Sequence, residues 1–85
     1  MIYRIELTKA ASRDLAAIPK ALLKRLDACI LHLAADPLPS GVKKLKSNDG
    51  LYRVRVGNYR IIYRVEQEIL TILIVKTGHR REVYR

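Results

Sequence analysis

The stretch of sequence that decides the fold runs Leu51-Tyr52-Arg53-Val54-Arg55-Val56-Gly57-Asn58-Tyr59-Arg60-Ile61-Ile62-Tyr63-Arg64. Apolar or aromatic residues alternate with arginines on both sides of the Gly57-Asn58 pair, and a period of two is typical of half-buried β-strands. A two-residue connection with glycine first is typical of a type II′ turn. The stretch therefore predicts an antiparallel hairpin with strands at about 51–56 and 59–65.

The two-residue turn fixes which residues face one another across this hairpin. The predicted pairs are Val56 with Tyr59, Arg55 with Arg60, Val54 with Ile61, Arg53 with Ile62 and Tyr52 with Tyr63. Side chains alternate between the two faces of a strand, so one face is apolar and the other is basic. The apolar face holds Tyr52, Val54, Val56, Tyr59, Ile61 and Tyr63, and we expect helices to cover it. The basic face, which we call the arginine face, holds Arg53, Arg55, Arg60 and Arg64, with Ile62 between them.

The arginine face carries an electrostatic cost. Arg55 lies opposite Arg60, and like charges directly opposite on a hairpin are destabilising. No Asp or Glu lies within residues 50–65. A register slip of one residue would bury the arginines, so the register is strongly specified. We interpret the cluster as a phosphate site, because the guanidinium fork matches phosphate oxygens. The alternative is a solvated face whose arginines splay apart or pair with distant carboxylates such as Glu6.

Hydrophobic periodicity outside the hairpin predicts two more strands and two helices. Residues 2–7 and 69–76 are predicted strands. Thr8 is predicted to cap a first helix that Pro19 ends or bends, and a second helix is expected from Lys20 to Ala35. The connecting segments are predicted as a loop at 36–41, a short extended piece at 42–46 and turns at 47–50 and 66–68. The order β-α-α-β-β-β indicates an α+β fold, in which an antiparallel sheet packs against a two-helix hairpin.

Length and composition exclude several classes of protein. At 85 residues the chain forms one domain, spanning 1–85, and a two-domain enzyme is excluded. Cys29 is the single cysteine, which excludes an internal disulfide and a cysteine-based metal site. The longest apolar stretch, Ile69–Val75, is too short for a membrane span, and the N-terminus does not have the pattern of a signal peptide. We expect a cytoplasmic protein without a metal or cofactor.

The net charge of +9 is unevenly distributed along the chain. Residues 1–42 carry six basic and four acidic residues, whereas residues 43–85 carry eleven basic and four acidic ones. A positive field concentrated in one half is typical of a nucleic-acid interface. The alternative is a basic surface that only aids solubility.

The last predicted strand extends the basic surface. Because it runs antiparallel to 59–65, its end returns towards Arg60. We therefore expect the tail residues Gly78, His79, Arg80, Arg81 and Tyr84 at the same rim. Three lysines precede the hairpin and are predicted, with two of the arginines, to bind RNA: Lys43, Lys44, Lys46, Arg64 and Arg81. Alternatively, His79 is a structural or solvent-exposed residue, and Tyr84 packs against the sheet edge.

The segment Gly50–Tyr63 and the ending Gly78–Tyr84 resemble the RelE/ParE superfamily of bacterial toxins, most closely its RelE branch. Weaker support comes from Ala11–Leu15 and Lys43–Leu45. The order of elements also agrees, so the resemblance spans nearly the whole chain and implies a RelE-like microbial RNase fold.

The resemblance implies a toxin of a type II toxin–antitoxin module. Such a toxin is a metal-independent endoribonuclease that needs the bacterial ribosome, cleaves mRNA in the A site and arrests translation. Its partner would be a cognate antitoxin that neutralises it in a higher-order hetero-oligomer. The family's site residues fall on Arg53, Arg55, Arg60, Arg80 and Tyr84. Two of the hairpin positions are often Lys in the best-known members and are Arg here.

Metal-independent RNA cleavage uses the 2′-hydroxyl as nucleophile on the adjacent phosphate. It requires charge stabilisation, a base for the hydroxyl and an acid for the leaving oxygen. The arginines supply charge, but arginine is effectively never deprotonated and is not a convincing base. Tyr84 and His79 are the candidates for proton transfer, with Glu82 a weaker one that is better suited to pair with Arg81.

Two other functions remain open from the sequence. The first is a toxin like the ParE branch, which inhibits DNA gyrase without nuclease activity and would use the basic face for protein contacts. The second is an RNA-binding module that does not cleave. The arginine face offers little aromatic surface for base stacking, which disfavours the second.

Overall fold

The computed structural model describes residues 2–45 and 50–79, with the side chain of His79 left out of the description. The elements are β1 (Arg4–Leu7), α1 (Lys9–Ala16), α2 (Lys20–Ala35), β2 (Lys43–Lys44), β3 (Leu51–Val56), β4 (Tyr59–Glu66) and β5 (Thr71–His79). They form one five-stranded sheet in the order β1-β5-β4-β3-β2 and two helices. The predicted α+β fold is confirmed.

The central hairpin has the predicted register at every pair. Leu51 also pairs with Arg64, and the ladder runs from there through Arg55 and Arg60 to the turn. Gly57 has a φ of 60°, whereas Asn58 does not have a positive φ. A positive φ at the first central residue alone is the geometry of a type II′ turn, which glycine adopts without strain.

The sheet is mixed, so the prediction of an antiparallel sheet is wrong for one pair of strands. β1 runs parallel to β5, with Arg4 beside Thr71 and Leu7 beside Ile74. Parallel neighbours need a long connection, and here both helices and three strands intervene. Pairing between strands so far apart has no local sequence signal. The extended piece predicted at 42–46 contains β2, which adds a fifth strand antiparallel to β3.

The last turn and strand differ from their predicted bounds. β4 continues through Glu66, residues 67–70 form the turn, and β5 begins at Thr71 rather than at residue 69. Leu70 takes a left-handed φ of 48°, which closes this longer turn. β5 extends to His79 because Tyr59 and Arg60 still provide ladder partners for His79 and Gly78.

The helices cover the apolar face of the hairpin, as predicted. Ile61 and Tyr63 are fully buried. The other buried members of this core are Ala11, Ile18, Leu26, Ile30, Leu33, Ile72 and Ile74. The Tyr63 hydroxyl donates to the Pro37 carbonyl at 2.6 Å, and the Tyr52 ring lies 5.9 Å from the Tyr63 ring. Burial raises the pKa of Tyr63, so the phenol stays neutral and keeps its donor.

Helix α1 and its N-cap residue Thr8 hydrogen-bond to the part of the β5 edge that β1 does not reach. Beyond the last β1 pair, the Thr8 amide donates to Ile74 O at 3.0 Å and its hydroxyl donates to Val75 O at 2.6 Å. The same hydroxyl accepts from the Ala11 amide, which confirms the predicted helix cap. One turn later, a carboxylate oxygen of Asp14 accepts from the Thr77 amide at 3.2 Å. Backbone groups that an edge strand would leave unpaired are thereby satisfied.

A β-bulge lies in the part of β5 that contacts α1 and Thr8. The ladder between β4 and β5 pairs Ile62 with Lys76 and Tyr63 with Ile74, so Val75 is the extra residue. Such a bulge bends the strand and increases its twist. Neither helix of the described ranges has the length and apolarity needed to cross a membrane.

Replacing Tyr63 by Phe should lower the free energy of unfolding by about 1 kcal/mol, because the Pro37 carbonyl loses its donor while the ring is retained. Urea denaturation of the wild-type and variant proteins measures this. Tyr52→Phe is the matched control, since it changes the neighbouring ring and leaves the Pro37 carbonyl bonded. Equal stability of Y63F and wild type would contradict the proposed importance of this hydrogen bond.

Candidate nucleic-acid interface

The strand register arranges the cations of the arginine face in two neighbouring rows. In the first, which we call the arginine row, Arg55 pairs with Arg60 and Arg60 pairs with Gly78. The second row runs through Lys43, Arg53, Ile62 and Lys76. Equivalent positions in the two rows are two residues apart along a strand, or about 6.8 Å. The sheet therefore brings cations from strands β2, β3 and β4 onto one surface opposite the helices.

The arginines of this surface are not equally exposed. Arg60 is only 5% exposed, Arg53 is half-buried, and Arg55 is exposed. Burying a guanidinium is costly unless it has partners, and both Arg53 and Arg60 have interactions within the protein. The picture of a uniformly solvated arginine face is therefore wrong at Arg60. Its cross-strand partner, Gly78, is buried and has no side chain to compete for the space beside the guanidinium.

A small cavity of about 200 Å³ lies at the β2 side of this surface. It is lined by Gly41, Lys43, Arg53 and Arg55. Gly41 has a φ of 92°, and no atom lies within 4 Å of the position that a Cβ would occupy there. All the side chains in this lining are cationic, so the cavity is suited to an anion such as a phosphate. We call it the basic cavity.

Two cations nearby are paired with carboxylates. The Arg64 guanidinium lies 4.0 Å from a Glu66 carboxylate oxygen, and both side chains are substantially exposed. Such a surface pair contributes little to stability. The Lys76 ammonium lies 3.5 Å from Asp14 of α1. The described residues contain no group of His, Cys, Asp and Glu side chains that could hold a metal ion.

The structure brings together some of the predicted site residues and separates others. Arg53, Arg55, Arg60 and Lys43 share one surface. Lys44 pairs with Tyr52 and so lies at the edge of the opposite face. Arg64 lies four residues from Arg60 along β4, about 13 Å away. The backbone of His79 pairs with Tyr59, beside the arginine row. The predicted residues Lys46, Arg80, Arg81, Glu82 and Tyr84, and most of the turn predicted at 47–50, lie outside the described residues.

Sequence reasoning missed a polar group on the helix-covered face of the sheet, where Thr77 pairs with Ile61. The Thr77 hydroxyl is buried and, among the described residues, is the one buried side-chain polar atom without a hydrogen-bond partner. Leaving such a group unsatisfied costs about 1–3 kcal/mol. Thr77 lines a cavity of about 390 Å³ together with Arg13 and Asp14. These three residues come from α1 and β5, and no local pattern predicts that they meet.

Comparison with known families adds independent evidence. The family model described as the ParE toxin of the type II toxin–antitoxin system, parDE, matches residues 5–84. The toxin RelG of Mycobacterium tuberculosis is 31% identical over 86 residues, and the match covers 100% of this chain and 99% of that protein.

Two solved structures have the same fold at similar identity. A chain of the toxin–antitoxin complex RelBE2 from M. tuberculosis has a TM-score of 0.82 and 30% identity, covering 94% of this chain and 100% of its own length. A chain of the archaeal RelE–RelB complex from Pyrococcus horikoshii has a TM-score of 0.81 and 34% identity, covering 94% and 97%. Sequence and fold therefore agree along almost the entire chain. The protein belongs to the RelE/ParE superfamily of toxins from type II toxin–antitoxin systems, and within it to the RelE branch.

Proposed function

We propose that this toxin is a metal-independent endoribonuclease that cleaves mRNA in the A site of the bacterial ribosome and so arrests translation. The observation that carries the proposal is the arginine row, in which a buried Arg60 lies between an exposed Arg55 and the side-chain-free Gly78. This row places one buried guanidinium, held in a fixed position, beside an exposed guanidinium. Transition-state stabilisation of a phosphorane needs that combination.

Arg60 is the residue best suited to stabilise the developing charge. Burial and internal partners restrict its side chain, so little reorganisation is needed when the phosphorane forms. Arg55 is exposed and can meet the RNA as it arrives. Arg53 and Lys43 line the basic cavity and would hold a phosphate of a flanking nucleotide. The remaining predicted RNA contacts, Lys44, Lys46, Arg64 and Arg81, would add longer-range attraction.

Proton transfer is assigned to His79, the last residue of β5, and to Tyr84 further along the chain. The 2′-hydroxyl must lose a proton as it attacks phosphorus, and the 5′-oxygen must gain one as its bond to phosphorus breaks. Tyr84 and His79 remain our candidates, with Arg80 as a further source of positive charge. The pairing of the His79 backbone with Tyr59 supports this assignment, because it brings the chain back to the arginine row.

We infer the partners of this chain from the related structures and from the charge of its surface. Related structures are RelE–RelB complexes, which supports a cognate antitoxin as partner of this toxin in a higher-order hetero-oligomer. Against a surface with this charge, an antitoxin segment that is acidic and amphipathic would be complementary. Because ribosomes and mRNA are cytoplasmic, we propose that this toxin acts in the cytoplasm.

Replacing Arg60 by Ala should reduce ribosome-dependent cleavage by at least about 100-fold, the loss typical of removing one preorganised donor to a developing oxyanion. Arg60→Lys keeps the charge but loses the fork, and should retain an intermediate activity. Cleavage is measured by primer extension on mRNA bound to programmed ribosomes, with urea denaturation to show that each variant is folded. Arg4→Ala, which removes an exposed charge from β1, is the matched control.

The product ends test the chemistry independently of rate. Attack by the 2′-hydroxyl leaves a 2′,3′-cyclic phosphate or 3′-phosphate and a 5′-hydroxyl. A 5′-phosphate product would contradict the mechanism. Full activity of the folded Arg60→Ala and Arg80→Ala variants would contradict the assignment of these residues.

Replacing Arg55 by Gln should reduce the salt dependence of RNA binding. The slope of log K against log salt concentration should fall by about 0.7, the contribution of one phosphate contact to a single strand. Fluorescence anisotropy with a 2′-O-methylated oligonucleotide measures binding without cleavage. R4Q is the control and should keep the wild-type slope, whereas an unchanged slope in R55Q would remove Arg55 from the interface.

Inhibition of DNA gyrase is the second candidate, and the match of the ParE family model to residues 5–84 favours testing it. We expect no effect of the purified toxin on gyrase supercoiling at concentrations that cleave mRNA on ribosomes. Inhibited supercoiling without mRNA cleavage would replace the nuclease proposal. RNA binding without either activity would instead indicate the non-cleaving module.

A further inference from the structure

A groove of about 730 Å³ opens at the end of the sheet away from the arginine row. Its walls come from the start of the chain, the loop after α2, the start of β3 and the turn between β4 and β5. Glu66, which lines it, is six residues from Arg60 along β4, or about 20 Å. The groove is therefore a separate site. Its apolar lining is Tyr3, Pro37, Leu38, Tyr52, Val65 and Ile69.

Hydrogen bonds fix two of the walls of this groove. The Tyr63 hydroxyl donates to the Pro37 carbonyl at 2.6 Å and so holds the loop after α2 against the sheet. The Tyr3 amide donates to the Ala34 carbonyl at 2.8 Å, which ties the start of the chain to the end of α2. A preformed site loses less conformational entropy when it binds a partner.

Exposed apolar side chains gather around the groove. Leu38 and Ile69 line it, and Ile69 is 60% exposed. Ile2 and Leu70 adjoin lining residues in the chain and are exposed as well. Four of the six large hydrophobic residues that are exposed in the described ranges therefore lie at this end. A concentration of exposed apolar side chains in one place marks an interaction surface.

The groove is acidic although the whole chain carries a net charge of +9. Of the six acidic residues in the described ranges, three line it: Asp36, Glu66 and Glu68. No Lys, Arg or His of the described ranges belongs to the lining. The Arg64 guanidinium, 4.0 Å from Glu66, offsets part of that charge, whereas Asp36 and Glu68 are exposed. We call this site the acidic groove.

Charge and apolarity together select the class of occupant. The carboxylates repel the phosphates of RNA and of anionic lipids. Contact between the grooves of two copies of this chain would bring carboxylates against carboxylates. The arginine face of a second copy has the right charge but offers only Ile62, itself buried, as an apolar partner. The occupant that fits is a protein segment with apolar anchors flanked by Lys or Arg.

We propose that the acidic groove binds a basic amphipathic segment of the antitoxin, separate from the acidic segment that is complementary to the arginine face; this inference rests on the antitoxin partner proposed above. Related structures are RelE–RelB complexes, which supports the antitoxin as the source. Two segments of opposite charge would fix the direction in which the antitoxin crosses the toxin, because the reverse direction places like charges together. A span of about 20 Å needs about 13 helical residues between them.

The basic segment should act as an anchor and not as the inhibitor. The acidic groove does not overlap the arginine row, so a bound basic segment leaves Arg55 and Arg60 open to RNA. Inhibition then depends on the acidic segment alone. The anchor raises the local concentration of that segment at the arginine face.

Two pairs of variants separate the groove from the rest of the surface. Glu68→Lys reverses one exposed charge in the groove, and Glu6→Lys makes the same change on β1 outside the lining. Ile69→Ser removes an exposed apolar side chain from the lining, and Leu7→Ser does so on β1. Urea denaturation shows that each variant is folded.

The first experiment measures binding to the full toxin by fluorescence anisotropy. The probes are overlapping labelled peptides of about 20 residues that span the cognate antitoxin. One basic peptide should bind wild type, E6K and L7S equally, and should bind E68K and I69S about threefold to tenfold more weakly. Added salt should weaken its binding. The proposal is overturned if no peptide discriminates in this way, if the discriminating peptide is acidic, or if E68K abolishes self-association of the toxin alone.

The second experiment adds the same basic peptide, at a saturating concentration, to mRNA cleavage on programmed ribosomes. The cleavage rate should not change, whereas an acidic antitoxin peptide that binds the arginine face should lower it. Inhibition by the basic peptide that is relieved in E68K would overturn its role as an anchor. The binding experiment does not need cleavage. A toxin that binds the basic peptide as expected but does not cleave would contradict the nuclease proposal alone, and one that cleaves but binds no basic peptide would contradict this inference alone.

Discussion

The structure depends on the register of one hairpin, between β3 and β4. The two-residue turn at Gly57 makes the pairing of Arg55 with Arg60 and that of Tyr52 with Tyr63 inseparable, because both follow from the same alignment. A slip of one residue would move Tyr63 out of the core and several arginines into it. The stability gained by burying Ile61 and Tyr63 thus holds the like-charged arginines in place on the other face. Packing of the core thus keeps Arg55 and Arg60 side by side despite the repulsion between their charges.

The second constraint concerns the hydrogen-bonding partners of β5, a strand that contributes to both the fold and the site. β1 pairs with its first half, and α1 satisfies the next part through Thr8 and Asp14. The bulge at Val75 lies where the partner of the β5 edge changes from a strand to a helix. The end of β5 is thereby held against Tyr59 and Arg60. The cavity beside Thr77 lies where a helix, instead of another strand, covers this sheet edge.

These constraints explain why the cations differ in character although they share a residue type. Arg60 is in the middle strand of the three that form the arginine row, so neighbours on both sides shield it. Arg55 has a neighbouring strand on one side only, because β2 does not reach it, and it remains exposed. A buried cation beside exposed ones is suited to a substrate that first arrives by charge attraction and is then held in a defined position. The sequence lists four arginines, and the sheet assigns them different environments.

The sequence by itself determined the hairpin, its register, both helices and the Thr8 cap, because each depends on periodicity or on residues a few positions apart. It also identified Arg53, Arg55 and Arg60 as neighbours, since a known register places side chains on a face, whereas Lys43 is placed beside Arg53 only by the pairing of β2 with β3. Only the tertiary structure decided that β1 runs parallel to β5, that Arg60 is buried, and that Thr77 meets Asp14 across 63 positions. These features depend on contacts between distant segments, whose direction and depth leave no periodic trace in the chain.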